Sequence, residues 1–303
     1  MKKYIFFFLS VIFLASCEDI IDVTVEDGED RLVVDAWIND LPQTQVIKLR
    51  RTIPYFDNSF SPGVTGATVV VADSDSTLYF FTDEDNDGDY TWTPGPGETL
   101  VKTGKEYALF IELDGDEYLS FSTANRSMPI DSITYEFMEE MIGQPEGIYG
   151  QVYARDSIGY GDVYWIKTYK NGAFLNKPQE ITLVWDSTFG PGDPDTTLSL
   201  LIPPLRLAIN RVPDFEDDAP DDGDIPPYDI GDSIRVEIHS MTQEAFFFMF
   251  QAREQMTNGD NGIFAVPVSN VPTNVFPREE GAKENPVGFF CVSKVESDEI
   301  VIQ

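Results

Sequence analysis

The feature that most limits how this chain can fold is an apolar alternation of period two, repeated in short runs with turn residues between them. In residues 105–113, Tyr107, Leu109, Ile111 and Leu113 fall on one face, Asp114-Gly115 supplies a hairpin turn, and Tyr118 to Phe121 returns. Runs of the same kind occupy 32–38, 45–49, 67–72 and 77–81, at roughly 8 to 12 residue spacing. No helical period interrupts them. The pattern predicts an immunoglobulin-like β-sandwich over 31–127.

Residues 124–129 read as a junction, after which Ile133, Tyr135 and Phe137 alternate with polar neighbours and open a second β-rich domain over 128–303. Further strands are expected at 149–154, 163–169, 180–185, 197–202 and 206–209. In 233–239, Ile234, Val236 and Ile238 are expected to face inward and Arg235, Glu237 and His239 outward. One helix is expected over 242–257, with Ser240 or Thr242 as its N-cap and Gly259 beyond its end. Phe246, Met249, Phe250 and Arg253 form a stripe on it that Phe247 and Phe248 widen. A partner-binding or membrane-contact face would explain the stripe; burial between the sheet and the loop at 258–277 explains it more simply. Long polar insertions occupy 189–195 and 213–229, and a strand pair, 287–295 with 299–302, closes the chain. The expected class is therefore all-β, an immunoglobulin-like sandwich followed by a second β-rich domain carrying one buried helix.

At the other end, Lys2 and Lys3 precede an apolar run from Ile5 to Leu14 that only Ser10 interrupts. It is too short for a hydrocarbon core that needs about 20 residues. It has the length of a secretory h-region. Leu14-Ala15-Ser16-Cys17 then resembles a bacterial lipobox, in which small side chains admit the signal peptidase and the thiol receives the lipid. Residues 1–16 are thus expected to be a signal peptide, Cys17 the lipidated residue, and 17–30 an acidic tether. Acyl chains contribute about 0.8 kcal/mol per buried methylene, so the anchorage should be durable.

Cys17 and Cys291 are the only two cysteines. Lipidation of the first leaves no partner for a disulfide. Cys291, within the apolar run 288–292, reads as a small core residue. The 53 acidic residues against 20 basic ones give a formal charge of −33, which opposes binding to nucleic acid or to an anionic membrane surface. With 42% hydrophobic and 13% aromatic residues, the chain has core enough to fold.

Asp83, Asp85, Asp87 and Asp89 spell the opening of an oxygen-ligand calcium loop, but the twelfth position is Pro94, where an EF-hand requires a bidentate glutamate. A looser calcium site capping a hairpin and a solvated acidic turn both fit. The acidic run from Asp214 to Asp224 is interleaved with prolines and reads as a loop. His239 is the single histidine, no nucleophile motif is present, and no spacing selects a carboxylate pair. No enzyme is expected. Trp37, Trp92, Trp165 and Trp185 sit in strand patterns that a packing role explains. The triplets at Asp131, Asp156, Asp195 and Asp232 are similar to bacterial O-glycosylation acceptors.

Taken in order, the lipobox, "RLVVDAWINDLPQTQVIKLRRTIPYF" from Arg31, "GDYTW", "GKEYALFIELDGDEYLSFST", "GDSIRVEIHSMTQEAFFFMF" and "NVPTNVF…ENPVGFFCVSKV" resemble the Bacteroidetes outer-membrane lipoprotein family classed as domain of unknown function 4249. The acidic residues behind Cys17 resemble the surface-export signal of such lipoproteins. The resemblance implies an extracytoplasmic β-rich protein encoded beside TonB-dependent transporters. It carries over no catalytic residue. The expected role is an accessory or substrate-capturing partner of such a transporter, held on the outer membrane and facing the cell surface; the alternative is an adhesive surface protein that binds polymers through its loops. Mass spectrometry of the mature terminus is expected to find acylated Cys17, and a free cysteine there would remove the anchor.

Overall fold

Strands dominate the computed structural model, which describes residues 28–54, 57, 59–140, 146–156, 159, 161–185, 205–208, 227–257, 271–279 and 281–303. Cys17 and its tether up to 27, the expected strand at 197–202, Asp195, the insertion at 189–195 and the acidic run at 214–224 lie outside the described residues. In chain order come β1 (Leu32–Asn39), β2 (Gln45–Arg51), β3 (Thr68–Asp73), β4 (Leu78–Phe81), β5 (Asp89–Trp92), β6 (Glu106–Leu113) and β7 (Asp116–Thr123). Then follow β8 (Ile130–Met138), β9 (Gly147–Ala154), β10 (Val163–Lys170), β11 (Ala173–Phe174), β12 (Thr182–Trp185), β13 (Leu205–Ala208) and β14 (Ser233–Met241). Helix α1 (Gln243–Met256), β15 (Val275–Pro277), β16 (Val287–Ser293) and β17 (Val295–Val301) complete the set. Residues 31–52 and 60–303 form one compact unit, and 1–30 with 53–59 form another, of which few positions are described.

Two sheets make a sandwich, one ordered β16-β1-β2-β5 and the other β15-β7-β6-β3-β4. Between them lie Leu32, Val34, Ala36 and Ile38 from β1 and Tyr107, Leu109 and Ile111 from β6, as the alternation requires. A third sheet, β11-β10-β14-β17 with β12 also paired to β10, shares a second core with β13-β9-β8. Tyr164, Ile166, Val236 and Ile238 fill it together with Ile133 and Val152.

β15 and β16 cross the boundary expected near residue 127. β15 pairs with β7, and β16 pairs in parallel with β1 in the register Val34↔Gly288 and Trp37↔Cys291. Phe290 and Val292 of β16 enter the sandwich core. Phe289 and Cys291 point the other way, into a third core with Trp37, Trp165, Met241 and the α1 residues Ala245, Phe246 and Met249. β16 is thus apolar on both faces because both are covered, whereas the face of β1 that carries Trp37 also carries exposed Asp35.

The closing strands do not pair with each other as expected. β16 lies on β1 and β17 lies antiparallel to β14, and only Lys294 separates them. Without turn residues the chain cannot fold back into a hairpin, so it steps from one sheet to the next. The step is pinned: the Lys294 amide donates to Ser240 Oγ at 2.9 Å, and its ammonium meets Asp40 at 2.8 Å.

Close approach of β16 to β1 depends on Gly288, whose φ is 97° and whose added Cβ would fall 2.1 Å from the Val34 carbonyl oxygen. Both the left-handed backbone and the contact exclude a side chain. Gly288→Ala is expected to destabilise the fold by about 2 kcal/mol or more, on the scale of strained backbone positions. Denaturant unfolding measures this; a midpoint equal to the parent's would contradict the packing.

Candidate functional site

The aspartates at 83–89 form a turn whose carboxylates face its own backbone. Asp83 accepts from the amides of Asp87 and Gly88, each at 3.1 Å, and Asp87 accepts from Asp89 at 2.9 Å. Asp89 pairs with Arg50, whose guanidinium also donates to the Asp87 carbonyl at 3.1 Å. Short acidic side chains cap turns in this way because they reach amides two to five residues onward. Asp85 takes no part in these contacts. Among the described residues no group of three or more acidic, histidine or cysteine side chains is placed to hold a metal ion.

A polar cluster that outward-facing side chains were not expected to form lies between the β1–β16 face and the third sheet. β10 and β14 pair in the register Trp165↔His239, Lys167↔Glu237 and Tyr169↔Arg235, placing these side chains on one face. Glu237 and His239 are buried rather than exposed, because the sandwich and α1 cover that face. Alternation alone marks two faces; it does not say that the polar one meets solvent. His239 Nε2 lies 3.0 Å from Glu237 Oε2, Tyr169 donates to the same oxygen at 3.1 Å, and Arg235 reaches Glu237 Oε1 at 3.1 Å.

Burial, reinforced by the nearby Lys167 cation, lowers His239 to about 4, so the imidazole is neutral at pH 7. For Glu237, burial acts to raise the carboxyl, but the hydrogen bond from His239 and the charge of Arg235 outweigh it and leave the group below its ordinary value. Burial also lowers Lys167 to about 8; its ammonium sits 4.0 Å from the Trp165 ring centroid. Asp35 keeps contact with solvent, yet protein crowds it enough that lost hydration raises its carboxyl above the usual range. Burial pushes the Cys291 thiol up to about 11, in line with its reading as a core residue.

Helix α1 packs on the sheet, and residues 258–270 of the loop expected to cover its other side lie outside the described residues. Thr242 caps it by accepting from the Ala245 amide at 3.2 Å. Ala245, Phe246 and Met249 pack inward, while Phe247, Phe250 and Met256 are exposed, Phe247 with its ring centroid 5.5 Å from that of Trp185. Trp37 and Trp165 pack edge to face with centroids 5.5 Å apart, and Trp92 packs on Tyr79 at 5.2 Å. Of the serine and threonine triplets, Asp232 pairs with Lys170 at 2.9 Å and Asp156 is buried against the Tyr164 hydroxyl.

Among the described residues, exposed apolar side chains line up on the outer face of β15-β7-β6-β3-β4. Cross-strand register aligns one row across all five strands: Phe80, Val70, Phe110, Leu119 and Phe276. A second row runs beside it through Leu78, Ala72, Ala108 and Phe121. Leu78, Phe80, Phe121 and Phe276 are 54 to 68% exposed. Carboxylates border both rows: Glu106 at one end of β6, and at the other Glu112, directly opposite Glu117. Arg278 neutralises Glu117 at 2.6 Å, whereas among the described residues Glu112 accepts only from Thr68 Oγ1, at 3.3 Å. Sequence alternation located the inner face of this sheet; it missed the outer one, because β3 and β4 are apolar at nearly every position.

Fold and surface together define an all-β protein whose exposed chemistry is an apolar platform edged with acid. The chain belongs to the family described as domain of unknown function DUF4249, whose model matches residues 18–299. Comparison with curated proteins finds no match.

The buried histidine has a consequence for stability. An unfolded chain takes up its proton near pH 6.5, whereas folded His239 resists until about 4, so acidification through that window favours unfolding. The contribution is fully present above pH 6.5 and declines by roughly 3 kcal/mol as pH falls to about 4. Glu237, also lowered, loses its contribution in the same direction. Thermal unfolding from pH 7 to 4.5 should show the midpoint falling, with a shallower slope in His239→Gln; identical slopes would mean that the imidazole is charged in the fold.

Proposed function

We propose that this chain is an outer-membrane lipoprotein, attached through Cys17, that docks on a TonB-dependent transporter as an accessory subunit. The observation carrying this reading is the apolar outer face of the five-stranded sheet, an exposed platform on an otherwise strongly acidic protein. Contiguous exposed apolar surface on a rigid scaffold marks a place where another surface is received. Lipidation would confine the search for a membrane partner to two dimensions. Residues 17–30 cannot reach beyond about 48 Å when fully extended, which keeps the platform near the bilayer.

Purification of the tagged full-length chain in mild detergent should recover a large β-barrel transporter. Phe121→Ser combined with Phe276→Ser should remove it without shifting the unfolding midpoint, since both side chains face solvent. Repeated recovery of the lipoprotein alone would defeat the proposal.

A further inference from the structure

The acidic border tells what must cover the platform. Five strands at about 4.8 Å and two rows at about 6.7 Å make an apolar strip of roughly 300 Å². A stable interface buries about 800 Å² on each side, so any protein seated on this strip also covers the carboxylates that edge it. Two of them, Glu112 and Glu117, stand directly opposite each other across β6 and β7. Like charges in that position repel. Arg278 relieves Glu117, and among the described residues no cation is paired with Glu112 or with Glu106.

Resting on the docking reading above, we infer that the platform receives a protein surface with an apolar centre flanked by lysine or arginine, one of which engages Glu112. A second copy of this chain does not meet the requirement. It would bring its own Glu106, Glu112 and Glu117 to the same border, between bodies whose formal charge is −33 each. An anionic lipid surface is repelled for the same reason.

The test uses the full-length chain with Phe121→p-benzoylphenylalanine, irradiated in membranes of the producing cell. Expected is one adduct with a different protein, reduced at least about tenfold by Glu112→Lys with Glu106→Lys. The same adduct should fall in about 1 M salt, where the screening length shrinks to about 3 Å. Glu112→Lys replaces a repulsion with an attraction to Glu117, so its unfolding midpoint should equal or exceed the parent's, which separates lost docking from lost folding. An adduct insensitive to both charge reversal and salt would overturn the inference while leaving docking intact. A two-copy adduct, an adduct within one chain or an adduct to lipid alone would also overturn it. Complete absence of adduct would overturn the docking reading as well.

Discussion

Parallel strands cannot be joined by a tight turn, so the pairing of β1 with β16 closes a loop that takes in nearly the whole larger unit. For a loop of about 250 residues the closure entropy alone costs about 5 kcal/mol. What offsets it is burial of Val34, Ile38, Phe290 and Val292 on the sandwich side and of Phe289 and Cys291, with Trp37 partly buried beside them, on the other. Two cores therefore share one pair of strands. Loss of this pairing would open both, which makes the sandwich and the third sheet parts of one cooperative structure. Glu284 secures its start, accepting from the Leu32 amide at 2.6 Å and from Arg51 at 2.7 Å.

Local pattern carries information about neighbours in sequence and little about partners far along the chain. The strand at 105–113 with its Asp114-Gly115 turn was legible because period and turn chemistry agree, and the structure has β6 and β7 there. The helix was legible from its Thr242 cap. The partner of Val287 to Ser293 was not, since an apolar run with no alternation fits any doubly covered position. The polar cluster escaped for a related reason. Arg235, Glu237 and His239 alternate with isoleucine and valine as in a half-exposed strand, and only the arrival of α1 and β16 encloses them.

The polar cluster and the apolar outer face, which alternation also missed, have a common origin in how hydrophobicity is divided between faces. On β14 a polar face is covered, whereas on β3, β4 and β7 an apolar face is left open. Period-two alternation reports the side that must be buried first; tertiary context decides the other. The polar face between sheets is tolerated because its charges are matched, Glu237 by Arg235 and by hydrogen bonds from Tyr169 and His239. No such matching exists for the apolar outer face, which is why it, rather than the polar cluster, carries the functional reading. In the acidic turn at 83–89, Asp83 and Asp87 are engaged by the turn's own amides and Asp89 by Arg50, at the sandwich edge.

The register of β1 also decides how the molecule answers mechanical load. Any pull directed along the axis of β1 meets the hydrogen bonds to β16 on one side and to β2 on the other, both of which lie across that axis. They would have to slide together instead of opening one by one like a zipper. A load in that direction is therefore shared by two ladders at once, one parallel and one antiparallel.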